Sequence, residues 1–207
     1  DANFNNLGAP SGFINIVDIK AKDVDSNRYI YMIENNSIKV LDGFSAYATV
    51  LAQASAIGFN EPFVSLSAVA VNSIGDIYLL DGNLLYKTQY NAVSRTVDLA
   101  SRIGGTGTQP DHYLFSGASD VTIDNTDRVV MADTNNLCIK VYNRNLVWIN
   151  TFTSVFFSSV NRPIKVCADI TGGNINVLTS GNELITFNSS LQITNRVILS
   201  TISNSVI

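Results

Sequence analysis

Short apolar segments alternate with polar turns along the chain, and one such pattern occurs four times. Each copy has an apolar strand, a turn rich in Asn, Asp, Gly or Ser, and a second apolar strand. Two short apolar runs around a compact polar turn are typical of a β-hairpin. The pattern therefore predicts four hairpins, which span residues 28–41, 76–89, 128–142 and 174–187.

The four hairpins recur at a nearly constant interval. Alignment of Ile30, Ile77, Val129 and Ile175 gives spacings of 47, 52 and 46 residues. Repeats of about 40–50 residues are typical of propeller blades. One further apolar strand precedes each hairpin and another follows it, so each repeat has four strands. The preceding strands are predicted at 13–20, 66–71, 118–123 and 164–170, and the following strands at 46–52, 94–103, 146–153 and 191–199.

These repeats predict an all-β chain that forms a β-propeller of about four four-stranded antiparallel blades. Linkers that carry Gly or Pro place the approximate blades at 8–57, 58–104, 105–157 and 158–207. The apolar runs are short and rich in Val, Ile, Tyr and Phe, which favours strands over helices. A β-sandwich and a β-solenoid are the alternatives. A sandwich does not repeat so evenly, however, and a solenoid has a shorter period.

The third repeat carries a more specific motif. Residues 115–142 resemble an NHL repeat, in which an apolar strand and a turn lead into a strand that ends in the pattern D-T-x-N. Asp133, Thr134 and Asn136 match that pattern, while Cys138 stands where the family has Arg. The resemblance implies an NHL-like β-propeller.

The acidic position of this motif recurs in two other repeats, as Asp81 and Glu34, whereas the fourth repeat has Thr179. The resemblance implies that this acid is structural and binds turn backbone, as Asx side chains do. NHL-like propellers more often have six blades, and the chain begins with Asp1 rather than Met. Both points favour a segment of a larger propeller, and a small four-bladed ring is the alternative.

Charge and hydropathy exclude several classes of partner. Only 14% of the residues are charged, and the net charge is −4 with a pI of about 4.8. Binding to nucleic acid needs a basic surface that displaces counterions from phosphates, so no nucleic-acid partner is predicted. No apolar run reaches the length of about 18 residues that a membrane-spanning helix requires. The sequence therefore predicts no membrane span.

Few residues suggest chemistry. His112, the single histidine, lies in the linker 104–115, and a metal site normally needs several His, Cys or carboxylate ligands. No catalytic residue, metal site or cofactor is predicted. The chain has two cysteines, Cys138 and Cys167. Buried thiols are favoured for them, and a disulfide between neighbouring blades stays open as the alternative.

Aromatic and histidine side chains in the linkers are the candidate contact residues. They are Phe59, His112, Tyr113, Phe156 and Phe157. For Tyr113, Phe156 and Phe157, packing into the core is the favoured interpretation and exposed contact is the alternative. These residues and the low charge favour a non-catalytic binding or structural module whose loops contact protein partners or further copies of the chain. An extracellular or virion-surface assembly suits this composition. One alternative is a propeller-type lyase or hydrolase with a central divalent metal, and another is a glycan-binding propeller of the adhesin or lectin type.

Overall fold

The computed structural model describes residues 15–24, 27–42, 49–51, 63–94, 96–108, 111–153, 155–169 and 171–199. Within these ranges the chain forms strands and turns and no helix. The strands are β1 (Ile16–Val24), β2 (Asn27–Glu34), β3 (Ser37–Asp42), β4 (Thr49–Leu51), β5 (Leu66–Val71), β6 (Asp76–Asp81), β7 (Leu84–Asn91), β8 (Thr96–Gly104), β9 (Ala118–Ile123), β10 (Val129–Asp133), β11 (Cys138–Tyr142), β12 (Trp148–Phe152), β13 (Pro163–Ala168), β14 (Ile175–Thr179), β15 (Glu183–Phe187) and β16 (Ile193–Ile198).

The strands form four antiparallel sheets in chain order, each with four strands. Blade 1 comprises β1–β4, blade 2 β5–β8, blade 3 β9–β12 and blade 4 β13–β16. The first strand of each blade contacts the first strand of the next, which places β1, β5, β9 and β13 side by side. The all-β propeller with four four-stranded antiparallel blades is thereby confirmed.

Turn chemistry explains why the hairpins close where they do. Asn35 and Asn36 form a two-residue loop between the paired residues Glu34 and Ser37. Both asparagines have positive φ, 48° and 56°. A tight hairpin turn of type I′ needs positive φ at both central positions, and Asn tolerates this conformation better than most residues.

Three apolar cores join consecutive blades. Each core is formed by the facing surfaces of two sheets, and the central hairpin strands supply most of it. Between blades 1 and 2 it includes Ile33 and Leu79, between blades 2 and 3 Leu80 and Met131, and between blades 3 and 4 Ile139, Val177 and Phe187. The blades are therefore held in series by burial of apolar side chains.

Two details differ from the sequence predictions. The first strand extends from Ile16 to Val24, beyond the predicted end at residue 20. Cys138 is a buried free thiol, as predicted. Cys167 is also a free thiol but is exposed, so the prediction of a buried thiol is wrong there, and the two residues form no disulfide. In the described part of the chain, no helix is long and apolar enough to cross a membrane.

Candidate functional site

The four inner strands border a cavity of about 330 Å³ near the propeller axis. We call it the axial cavity. Small residues of β5 and β13 form one part of its wall, and polar residues of β1 and of the turn after β9 form another. The polar groups around it include Lys20, Lys22, Ser73, Thr122, Asp124, Asn125, Asp127 and Cys167.

Carboxylates near the axis tie neighbouring blades together. Asp18 of blade 1 accepts a hydrogen bond from the backbone N of Val69 in blade 2, at 2.8 Å. Asp120 of blade 3 accepts one from the backbone N of Val166 in blade 4, at 2.9 Å. The two aspartates occupy corresponding positions in their blades, opposite Ile33 and Ala132. Their carboxylates are thus used in the structure of the propeller.

The protonation of Asp120 reflects its surroundings. Burial raises the pKa of this carboxyl above its ordinary value. The hydrogen bond from Val166 and the positive charge of Lys165 oppose that rise, and the negative charge of Asp18 adds to it. A raised pKa in a cleft is a feature of many catalytic acids. In Asp120, however, burial accounts for the raised pKa, and the carboxylate is already used as the acceptor for the backbone N of Val166 in the next blade.

The two aspartates of the turn after β9 are also engaged. Asp124 accepts hydrogen bonds from the backbone N of Thr126 and of Arg128, and its Oδ2 lies 2.6 Å from Nε of Arg128. Asp127 accepts a hydrogen bond of 2.9 Å from the backbone N of Ser73. This segment is the β-turn that the sequence predicts, since the N of Asp127 donates to the carbonyl of Asp124.

A central divalent metal does not fit this arrangement. The carboxylates beside the axial cavity accept hydrogen bonds from backbone amides or pair with Arg128. In the ranges that the structure describes, no group of three or more His, Cys, Asp or Glu side chains could hold a metal ion. Divalent cations need several oxygen or nitrogen ligands that converge on one point.

A second feature lies at the rim of blade 3, where a buried lysine holds the linker that precedes β9. Nζ of Lys140 pairs with Oδ2 of Asp133 at 3.0 Å and donates hydrogen bonds to the carbonyls of Asp111 and Leu114. Oδ1 of Asp133 accepts a bond of 2.7 Å from the backbone N of Ser116. The carboxylate therefore has the structural role predicted for it, although its backbone partner is in the preceding linker.

Aromatic side chains also hold this linker. The hydroxyl of Tyr142 donates a hydrogen bond of 2.6 Å to the carbonyl of His112. Burial raises the pKa of this hydroxyl well above its ordinary value, so it remains a donor. The His112 ring stacks on Trp148 with centroids 3.7 Å apart and an interplanar angle of 13°. Tyr113 accepts a bond from the backbone N of Trp148 at 3.2 Å.

These contacts produce an ordered and partly apolar surface, which we call the rim patch. Its members are His112, Tyr113, Val147, Trp148 and Ile149. Tyr113 is 40% exposed, Val147 53% and Ile149 41%. Exposed apolar side chains that lie together are a feature of interaction surfaces, whereas single ones are ordinary.

The other predicted contact residues have different positions. Phe157 is buried in the core between blades 3 and 4, so it is not an exposed contact residue. Phe156 is partly buried and packs edge-on against Phe187, with ring centroids 5.8 Å apart. Phe59 lies outside the described residues. Of the five candidates, the consecutive residues His112 and Tyr113 both contact Trp148.

Two residues of the rim were not identified from the sequence. Lys140 lies within an apolar strand, at a position where a buried side chain is expected. A charged residue at such a position, on the strand paired with the one that ends at Asp133, is the signal that could have identified it. Trp148 is the single tryptophan of the chain, on the strand that follows the third hairpin. Its contact with His112 joins residues 36 positions apart, which hairpin patterns do not reveal.

Comparison with known proteins shows the class to which the fold belongs. The chain is similar to propeller proteins: virginiamycin B lyase from Staphylococcus aureus, with a TM-score of 0.63, and a streptogramin B lyase, with a TM-score of 0.64, both at 13% identity. A luciferin-regenerating enzyme matches with a TM-score of 0.54 at 12% identity. These matches cover 89%, 91% and 86% of this chain.

The likeness to these proteins is a likeness of fold. This chain spans 56%, 57% and 59% of their respective lengths. No protein-family model matches the sequence, and no curated protein matches it either. The β-propeller is therefore shown, while membership of the NHL family stays a prediction.

Proposed function

We propose that the chain is a non-catalytic binding module that contacts a protein partner through the rim patch. The observation that carries the proposal is the way the linker 111–115 is held. Lys140 binds two of its carbonyls and Tyr142 a third, while Tyr113, Val147 and Ile149 stay exposed. The low share of charged residues supports the second part of the proposal, a role in a larger extracellular or virion-surface assembly.

A surface held in this way is suited to binding. Association costs free energy when side chains and loops must be ordered, and a loop that is already immobilised avoids much of that cost. Tyr and Trp are enriched among the residues that dominate binding energies. A partner with a complementary apolar anchor would cover Val147 and Ile149 and pack against Tyr113.

Site-specific photo-crosslinking tests this proposal. A photoreactive phenylalanine analogue replaces Tyr113 in one variant and Val93 in the control, since Val93 is 97% exposed on a turn of blade 2. We expect one discrete crosslinked protein from the source material with the Tyr113 probe and none with the control. An excess of wild-type chain should suppress the product, and an excess of the Val147→Asp variant should not. Equal competition by the two chains would contradict the proposal.

A lyase or hydrolase is the second candidate, because two of the similar structures are named as lyases. The structural use of Asp18, Asp120, Asp124 and Asp127 argues against it. Metal analysis of the purified protein separates the two candidates. Stoichiometric Ca²⁺ or Zn²⁺ would favour the enzyme, and its loss on substitution of Asp120 by Asn would place the ion at the axis. Binding to an immobilised glycan that the Tyr113→Ala variant loses would instead favour a lectin-like role.

A further inference from the structure

The axial cavity is bordered by one corresponding position of the inner strand in every blade. In the pairing registers it is the position two residues after Asp18 and Asp120. Its occupants in blades 1 to 4 are Lys20, Ala70, Thr122 and Cys167, and all four line the cavity. The alanine leaves space beside the axis, and the other three residues bring an ammonium, a hydroxyl and a thiol group to it. The cavity is therefore built from the blade repeat, with a different side chain from each blade.

The two carboxylates of the cavity wall are already bound within the protein. Oδ2 of Asp124 lies 2.6 Å from Nε of Arg128. Both oxygens of Asp127 accept hydrogen bonds from Ser73, one from its backbone N and one from its hydroxyl. Hydrogen bonds to an ionised acceptor are among the strong ones in proteins. These carboxylates are thus occupied by donors of the protein itself.

The two ammonium groups of the wall are less fully bound. Nζ of Lys20 lies 3.3 Å from Oδ1 of Asp18, and the same oxygen also accepts a hydrogen bond from the backbone N of Ile19. An ammonium group has three N–H donors, so Lys20 keeps donors for a further partner. Within the ranges that the structure describes, Lys22 forms no ion pair. The positive charges of the wall are therefore more available to a ligand than the negative ones.

Neutral polar groups and apolar side chains complete the wall. In the described part of the chain, the side chains of Thr122 and Asn125 form no hydrogen bond. Ala70, Val71 and Val166 supply apolar surface on β5 and β13. The volume of about 330 Å³ lies at the lower end of the range of about 300–1,000 Å³ that small-molecule pockets have. This space suits a compact ligand with an anionic group and a short carbon skeleton.

We propose that the axial cavity binds a small organic anion whose carboxylate or phosphate group pairs with Lys20 and Lys22. Both lysines belong to β1, whereas the apolar part of the wall belongs to β5 and β13, so the ligand lies across the axis. Charge-assisted hydrogen bonds hold its anionic end, and Thr122 and Asn125 bind its neutral polar groups. Partial enclosure by four strands strengthens the attraction, because the effective dielectric constant there is lower than in water.

Cys167 provides a reporter for this site, because its exposed thiol lines the same cavity. Two reagents of opposite charge are compared, the anionic sulfonatoethyl methanethiosulfonate and the cationic trimethylammonioethyl methanethiosulfonate. With either reagent the thiolate forms a mixed disulfide and releases methanesulfinate. Each rate is divided by the rate of the same reagent with free mercaptoethanol, which corrects for intrinsic reactivity. We expect the anionic reagent to react faster, with a preference that decreases as the salt concentration rises.

Two variants test whether the cavity lysines cause this preference. Lys22→Met should reduce the ratio of the two corrected rates. Arg102→Met is the matched control, because it also removes one positive charge, but from an exposed position on the outer strand β8 that does not line the cavity. It should leave the ratio unchanged. The preference of the wild type and its salt dependence are readouts that need no variant.

Protection of Cys167 measures the binding of a ligand. Inorganic phosphate and succinate are the probes, and they distinguish a phosphate ligand from a carboxylate. We expect at least one of them to slow modification by the uncharged methyl methanethiosulfonate in a saturable way, whereas sodium chloride of equal ionic strength should not. Lys22→Met should raise the half-saturating concentration about tenfold, as the loss of one charge-assisted hydrogen bond does. Titration calorimetry with the same probe measures the affinity without the thiol.

Several results would overturn the proposal. Equal corrected rates for the two charged reagents would do so, as would a preference that Lys22→Met and Arg102→Met reduce equally. Slowing by chloride as strong as that by the probes would show screening alone, and no saturable binding of either probe would leave the cavity without an anion site. The proposal does not depend on the rim patch, so crosslinking from Tyr113 can fail or succeed independently of it.

Discussion

Lys140 and Asp133 form an ion pair of 3.0 Å in which neither side chain is exposed to solvent. The pair spans the hairpin of blade 3, and the lysine also binds two carbonyls of the linker before β9. Lys39 and Glu34 form an ion pair at the corresponding place in blade 1. Buried charges are tolerated when they are paired and their remaining hydrogen-bonding capacity is satisfied.

Replacement of the buried lysine should be strongly destabilising. We expect Lys140→Met to lower the free energy of unfolding by about 3–5 kcal/mol, because it leaves Asp133 charged and without its cation in the protein interior. Urea denaturation measures the change. Lys165→Met is the control, since Lys165 is largely exposed and lies 3.6 Å from Asp120. It should cost no more than about 1 kcal/mol, because water solvates the exposed ammonium of Lys165 and screens its charge from Asp120. Equal losses in the two variants would contradict this explanation.

The hydroxyl of Tyr142 should be needed to hold the linker at the rim. Tyr142→Phe removes the hydrogen bond to the carbonyl of His112, which we expect to cost about 1 kcal/mol. Amide hydrogen exchange of residues 111–115 should accelerate. Tyr78→Phe is the matched control, because its hydroxyl donates to the carbonyl of Arg144, outside the linker. Unchanged exchange in Tyr142→Phe would show that Lys140 alone immobilises this segment.

Much of this architecture could be predicted from the sequence, because short-range patterns determine it. The strands β5 and β9 were predicted with the bounds they have, since turn residues delimit both apolar runs. The position of Phe157 could not be predicted, because its burial depends on packing between blades 3 and 4. The same limit applies to His112, whose stacking partner Trp148 is distant in sequence. The repeats in the sequence are enough to predict the strands of each blade. The contacts between a linker and a blade join residues that are distant in sequence, so they become visible only in the structure.

Asp76 and Asp120 should change the stability in opposite directions as the pH varies. Burial of Asp76 opposes its ionisation, but hydrogen bonds from Gln89, Lys87 and Asn72 outweigh this effect and hold its pKa below 3.8. Its contribution to stability is therefore present above pH 3.8 and is lost as the pH falls through the lowered pKa. We expect Asp76→Asn to cost about 2 kcal/mol at pH 7, with a smaller loss in strong acid.

For Asp120 the stability changes with pH in the opposite direction. Burial raises its pKa above 3.8, so the folded state binds the proton more tightly than the unfolded state does. Stability falls as the pH rises from 3.8 through the raised pKa. The Tm of Asp120→Asn relative to the wild type should therefore increase over that interval. Thermal unfolding of both variants from pH 3 to pH 8 provides the comparison, and parallel curves for Asp120→Asn and the wild type would refute the assignment.

The cores between blades should carry most of the stability. Leu79 is fully buried between blades 1 and 2, and Val93 is 97% exposed. We expect Leu79→Ala to cost about 2–5 kcal/mol, because it removes apolar contacts and leaves a cavity. Val93→Ala should change the stability by less than about 0.5 kcal/mol. Similar midpoints of urea denaturation for the two variants would contradict the role assigned to this core.

The two cysteines should differ in reactivity. Cys138 is fully buried on β11, whereas Cys167 is exposed on β13 beside the axial cavity. Because thiol–disulfide exchange needs access to the thiol, we expect one equivalent of an aryl disulfide reagent to form a mixed disulfide and release its aryl thiolate in the native protein, and two equivalents after denaturation. Cys167→Ser should abolish the native reaction, and Cys138→Ser should leave it unchanged. A native protein with no reactive thiol would show that the edge of the axial cavity next to β13 is covered in solution.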